Sequence, residues 1–306
     1  MRRQFIRIVF LLFCGSTVFA QTSINKSDEW ILYERANALA AQHEYGQALQ
    51  LYKEAISASG IFPEAEIGVG DIFFEEGEFD LAKAQYEKAY SLRNGFRISE
   101  MQYEVLYKLA DLYEARTMYK PMEDALLKIA SDDRRFAAPE SSRLRGQIEK
   151  NYFEKGLDHV LFLYQFDVAF AAEAHSRLGW FYYRSGRYSQ AVQELLYALI
   201  YRTTEIDSFL HDRDVDYQFK TLADMLASVE ASKSLSAYVT GSSFFRDLYY
   251  LAGSSYAGGY PNHATDIWKI VAASRLSGKY ADLSARQLRR PWTEKVIGVD
   301  QKGKSY

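Results

Sequence analysis

Residues 63–94, PEAEIGVGDIFFEEGEFDLAKAQYEKAYSLRN, decide how the rest of the chain is read. Apolar residues recur at helical spacing on both sides of Glu76-Gly77-Glu78, which predicts two amphipathic helices joined by a short turn. The small residues Gly70, Ala82 and Ala89 fall where two such helices must touch. The large residues Val69, Phe73, Phe79, Tyr86 and Tyr90 fill the remaining contact.

The pattern recurs along the chain. In GQALQLYKEAI, residues 46–56, Ala48, Tyr52, Ala55 and Ile56 repeat the second helix, and Ala36 takes the small position of the first. Ala48 and Ala82 are 34 residues apart, so residue type and spacing agree. In a third copy Leu178, Gly179, Tyr182, Tyr188, Ala191, Leu195 and Ala198 flank the turn Arg184-Ser185-Gly186-Arg187. This constellation resembles the tetratricopeptide repeat, a helix–turn–helix unit with a period of 34 residues. The resemblance implies an all-α fold in which successive units stack into a right-handed superhelix, an α-solenoid, with a broad role in binding other proteins.

Extended on that register, the array covers residues 29–205, with clear units at 29–62, 63–96 and 172–205 and weaker ones at 103–136 and 137–170. The unit at 103–136 needs a six-residue insertion before it and carries Met122 at a small position, which predicts a looser contact. The unit at 137–170 rests mainly on the spacing between Met122 and Gly156. Residues 206–243 read as a linker holding one non-repeat helix, Tyr217 to Lys233, followed by a small, polar stretch from Leu235 to Ser243. A degenerate unit and a closing helix follow at 244–290, and a tail at 291–306.

The N-terminus is a separate object. Arg2, Arg3 and Arg7 precede an unbroken apolar run, Ile8 to Cys14, and Val18 and Ala20 give a small-residue cleavage pattern before Gln21. That predicts a secretory signal peptide at 1–20, a flexible lead at 21–28 and a mature chain in the bacterial periplasm. The run is too short to span a bilayer, which needs roughly 18 residues or more. The twin-arginine alternative at Arg2-Arg3 lacks its usual polar lead, and Cys14 as a lipid anchor follows a bulky Phe13. Cleavage would take net charge from −3 to −6 and remove the single cysteine, leaving no disulfide. The acidic balance argues against nucleic acid as the partner.

No motif for catalysis or for a cofactor stands out. The five histidines, 43, 159, 175, 211 and 263, form no ligand-like pair, and neither a nucleophile elbow nor a phosphate-binding glycine loop is present. Asp212, Asp214 and Asp216 alternate like the start of a calcium loop, but Tyr217 and Ala223 occupy the positions that need Gly and Glu. An enzyme is therefore not expected, nor a metal.

In proteins of the family it resembles, the first helices line a concave groove that holds a peptide. The resemblance projects that groove onto Trp30, Tyr33 and Asn37, then Ile67, Asp71, Phe74 and Glu75, then Tyr107, Asp111 and Glu114, and finally Trp180, Tyr183 and Arg184. The chaperone-tail variant of the family is not implied, because Tyr33, Gly68 and Glu104 replace its basic residues and only Asn37 matches. The projected surface is aromatic and acidic. It suits a protein or peptide segment with apolar anchors and basic residues. A small solute such as a cell-wall sugar, stacked on Trp30, Trp180 and Tyr183, is the alternative.

Overall fold

The computed structural model describes residues 28–133, 135–136, 140–167 and 169–294. The expected signal peptide, almost all of the lead and most of the tail lie outside the described residues. Within them the chain is all-α: fifteen α-helices, two short 3-10 turns and no strand. It divides into two compact units between Ser59 and Gly60.

The first unit is one helical hairpin, α1 (Asp28–Ala41) and α2 (Tyr45–Ser59). Ala36, Ala48 and Ala55 are fully buried between the two helices, as their small size suggested.

The second unit holds four more hairpins: α3 (Pro63–Glu75) with α4 (Phe79–Ser91), α5 (Met101–Ala115) with α6 (Tyr119–Ser131), α9 (Ala172–Arg184) with α10 (Tyr188–His211), and α13 (Phe244–Ala257) with α14 (Pro261–Ala273). Between them come α7 (Glu140–Lys155), α8 (Leu157–Leu163), α11 (Leu222–Glu230) and α12 (Lys233–Gly241), and α15 (Lys279–Arg289) closes the series.

All five hairpins share one turn. Its middle residue takes positive φ: His43 at 61°, Gly77 at 80°, Thr117 at 56°, Gly186 at 77° and Gly259 at 91°. The next residue donates its N–H five residues back, as in Glu78 to Phe73, Met118 to Tyr113, Arg187 to Tyr182 and Tyr260 to Ser255 (2.7–2.8 Å). This is a Schellman-type close, which satisfies carbonyls the helix end leaves open and favours glycine at its left-handed position. Pro63 and Pro261 start their helices where a missing N–H costs nothing.

Small residues set the helix contacts. A Cβ on Gly70 would stand 2.6 Å from the Tyr86 ring, and one on Gly179 would stand 2.5 Å from Leu195 Cγ and 3.1 Å from its backbone nitrogen. Met122, expected to loosen its contact, is instead buried at 3% exposure, because an unbranched side chain adapts to the space it meets.

In the second unit each hairpin's second helix packs on the next hairpin's first, α4 on α5, α6 on α9 and α10 on α13, and α14 packs on the closing helix α15. The α6–α9 contact corrects the sequence expectation. Residues 137–170 do not form a repeat standing between their neighbours. Glu123 on α6 accepts hydrogen bonds from Tyr182 Oη and Arg187 Nη1 (both 2.8 Å). Tyr119 stacks on Phe181, with centroids 5.7 Å apart. The pair α7/α8 is diverted onto α10 and the last hairpin: Gln193 reaches Glu149 (3.0 Å), and Tyr152 Oη meets Ser255 Oγ (2.7 Å). A single residue, Gly156, separates α7 from α8, and α8 has only seven residues.

The linker region also differs from expectation. Helix α10 runs past the expected boundary at 205, because Leu199, Thr203, Ile206 and Leu210 continue one buried stripe. The helix expected from Tyr217 to Lys233 is two. Thr221 and Asp224 form a reciprocal capping box that starts α11, and Ser232 caps α12, so the small polar stretch after Leu235 is largely helical with Leu235 and Val239 buried. Asp214 and Asp216 form a local turn, with the Asp216 N–H on Asp214 Oδ1 (3.1 Å).

Candidate functional site

In the second unit the first helices of successive hairpins are tied by ion pairs. Lys108 on α5 lies 2.9 Å from Asp71 on α3 and 3.7 Å from Glu104. Burial pulls the Lys108 pKa down, but Asp71 and Glu104 more than reverse it, so the ammonium is held above its ordinary value. Arg177 on α9 lies 2.6 Å from Asp111 and 3.2 Å from Glu114 on α5. Tyr107 Oη donates to the Phe170 carbonyl just before α9 (2.7 Å).

The joint between α9/α10 and α13 is a partly buried charge cluster. Arg246 lies 3.4 Å from Glu173 and donates to Ser176 Oγ (2.7 Å), while Arg202 meets Glu173 at 2.6 Å. Asp247 accepts from Ser176 and has no solvent exposure. Burial pushes its pKa up to about 6 from the ordinary 3.8, despite Arg202 and Arg246 beside it.

Trp180 occupies the middle of this strip, half-buried, with the Arg184 guanidinium 4.7 Å and that of Arg246 5.7 Å from its ring. Next to it Glu114, Tyr119, Met122, Arg177, Phe181 and Arg184 line a crevice of about 10 Å³, room for one water.

The structure therefore brings together Asp71, Tyr107, Asp111, Glu114, Trp180 and Arg184 as neighbours along the first helices, but not as a free acidic groove. Asp71, Asp111 and Glu114 already hold internal cations. Of the acids projected onto the groove, Glu75 alone has no cation within ion-pair distance among the described residues. Phe74 packs edge-on against Phe79 (5.5 Å) at the hairpin turn.

Two projected residues are core. Ile67 is 4% exposed within the main apolar cluster. Tyr183 is 1% exposed, because α13 presents Gly253 to it and α9 and α13 close around the ring. Its hydroxyl is then capped by the Glu294 N–H (3.1 Å), from a segment clamped by Gln287 on the main chain of Trp292.

Trp30, Tyr33 and Asn37 belong to the first unit. Trp30 meets Tyr33 edge-on (5.5 Å), and Tyr33 leans on Tyr52 (5.9 Å). Asn37 accepts from Tyr52 Oη, and 34 residues later Asp71 accepts from Tyr86 Oη (2.7 Å), so the same bond recurs at the repeat period. Asn37 and Asp71 thus hold the second helix of their own hairpins. Sequence reasoning missed the cations Lys108 and Arg177. Both stand at the sixth position of units that begin at 103 and 172, a shared register that could have drawn notice.

No family model matches the chain. The chain is similar to an uncharacterised protein of Treponema pallidum (strain Nichols), 23% identical over 250 residues, which cover 81% of this chain and 67% of that protein.

Proposed function

We propose that this protein is a non-enzymatic scaffold of the bacterial envelope, exported through its N-terminal segment, that binds a polypeptide along the first helices α3, α5 and α9. The observation that carries this reading is Trp180: a large, half-buried ring flanked by two guanidinium groups along the ion-paired strip. Amphipathic aromatics with cations beside them commonly dominate binding energy at protein interfaces. The resemblance of the hairpins to tetratricopeptide units adds support, since first helices carry the groove in that family.

The proposed partner is a protein segment with apolar anchors and basic residues. Asp71 and Asp111 keep side-chain exposures of 41% and 54%, which leaves surface for a partner's Lys or Arg beside Lys108 and Arg177. A small solute at the same place is disfavoured by the crevice volume of about 10 Å³. An enzymatic role at the most enclosed His–carboxylate pair is disfavoured because His175, 2.5 Å from Glu194, has no exposure and is walled by Phe136, Tyr197 and Tyr201.

The test is selection from a displayed random-peptide library, followed by affinity measurement on wild type and Trp180→Ala. The expected result is enriched sequences with an apolar anchor, which bind Trp180→Ala about 10- to 100-fold more weakly, corresponding to about 1–3 kcal/mol. Equal affinity for a variant with an intact helical spectrum would move the binding surface elsewhere.

A further inference from the structure

The diverted pair α7/α8 builds a crevice of about 250 Å³ against α14. Tyr152, Leu157, Ile267 and Ile270 form its apolar wall, and Lys155, Asp158, Asn262, His263 and Asp266 stand around it. Its walls are fastened to their neighbours at both ends. At one end His263 Nε2 donates to the Tyr152 carbonyl (3.1 Å), and Phe153 stacks on Tyr260 with centroids 3.8 Å apart. At the other, Asp158 on α8 accepts the Leu222 N–H (2.8 Å). Gly156, at φ 87°, swings the chain between these anchors. Both walls are thus held in place without a ligand, so little ordering cost opposes one that enters.

The polar groups are not equally engaged. Asp158 is occupied by the Leu222 amide, and Asp266 faces Lys269 at 3.4 Å. His263 has its Nε2 committed to Tyr152. Lys155 has no carboxylate within ion-pair distance among the described residues, and it lines the same crevice as Asn262. Among the charged groups of the lining, Lys155 alone has no internal partner among the described residues.

We propose that this crevice binds a small amphiphilic carboxylate, its carboxylate on Lys155 and Asn262 and its hydrocarbon body on Leu157, Ile267 and Ile270. A crevice of about 250 Å³ lies just below the ordinary size of ligand pockets, about 300–1,000 Å³, which sets the ligand at a small molecule. This site lies apart from the Trp180 strip and does not depend on the function proposed for it.

The probe is hexanoate, titrated into the full chain with isoleucine methyl resonances observed by NMR and hexylammonium as the charge-reversed control. The expected result is saturable shifts of Ile267 and Ile270, with a Kd on the order of 1 mM for a ligand this small. Lys155→Glu, a change at an exposed position, should weaken binding at least about tenfold while the circular dichroism spectrum stays the same. Absence of shifts at about 20 mM hexanoate, equal binding of hexylammonium, or unchanged affinity in Lys155→Glu would each overturn the proposal.

Discussion

Hairpin α9/α10 and the pair α7/α8 are sequence neighbours on the same 34-residue spacing, yet only the first takes a place in the stack. The difference lies in two local features. Hairpin α9/α10 has the three-residue turn with Gly186 at positive φ and Gly179 at the helix contact, so two long helices close tightly. The pair α7/α8 has a one-residue break and a seven-residue second helix, and Gly146 in α7 faces open space. The pair α7/α8 packs on α10 and the last hairpin instead of standing between α6 and α9. The lesson is that period alone does not make a repeat: turn chemistry and close contact decide it.

The joint that receives α13 is charged, whereas the α6–α9 joint pairs a single acid with a phenol and a guanidinium, and this contrast gives the largest expected effect. Asp247 holds its proton more tightly folded than unfolded, with its pKa raised from 3.8 to about 6. Folded protein therefore carries the extra proton between about pH 4 and 6, and stability should fall as pH rises through that window. The loss is on the order of 3 kcal/mol. Urea denaturation of wild type and Asp247→Asn at pH 4, 5, 6 and 7 checks it: the decline should vanish in the variant, and identical slopes would show that Asp247 does not feel its burial.

Next in size is Gly179→Ala. Overpacking against Leu195 costs about 1–3 kcal/mol, and alanine's better helix propensity returns about 1, for a net loss of up to about 2. The smallest effect has the opposite sign. Gly146→Ala meets nothing within 4 Å in an exposed stretch of α7, so it should stabilise by about 0.5–1 kcal/mol. Thermal melts of the two variants should move in opposite directions. A shared direction would mean that α7 is packed as tightly as α9.

The same contrast explains what was legible in the sequence. Gly70, Ala82 and Gly179 announced the helix contacts because only small residues fit there, and Gly77 and Gly186 announced the turns. His43 falls near an inter-helix turn in the sequence without announcing that geometry, and Thr117 hid a further turn behind a β-branched residue, for which positive φ is rare. Position 156 matched the period by number but is a helix break, which misplaced residues 137–170. The projected site was legible only in outline. A register can say that Asp71 and Asp111 lie on first helices, but not that Lys108 and Arg177 reach across from the next helix to meet them. Nor could it say that Tyr183, one turn from Trp180, would be sealed by α13 and the chain after Pro291.

Direct packing of α6 on α9 sets Glu114 beside Arg177 and Trp180 and leaves α7/α8 out of the stack. A double-mutant cycle on Glu123→Gln and Tyr182→Phe tests it most directly, since the two groups meet at 2.8 Å with Glu123 on α6 and Tyr182 on α9. The account predicts a coupling energy of about 1–3 kcal/mol, as for a buried hydrogen bond to a charged group. Additive effects, with coupling near zero, would contradict it and place another element between the two helices.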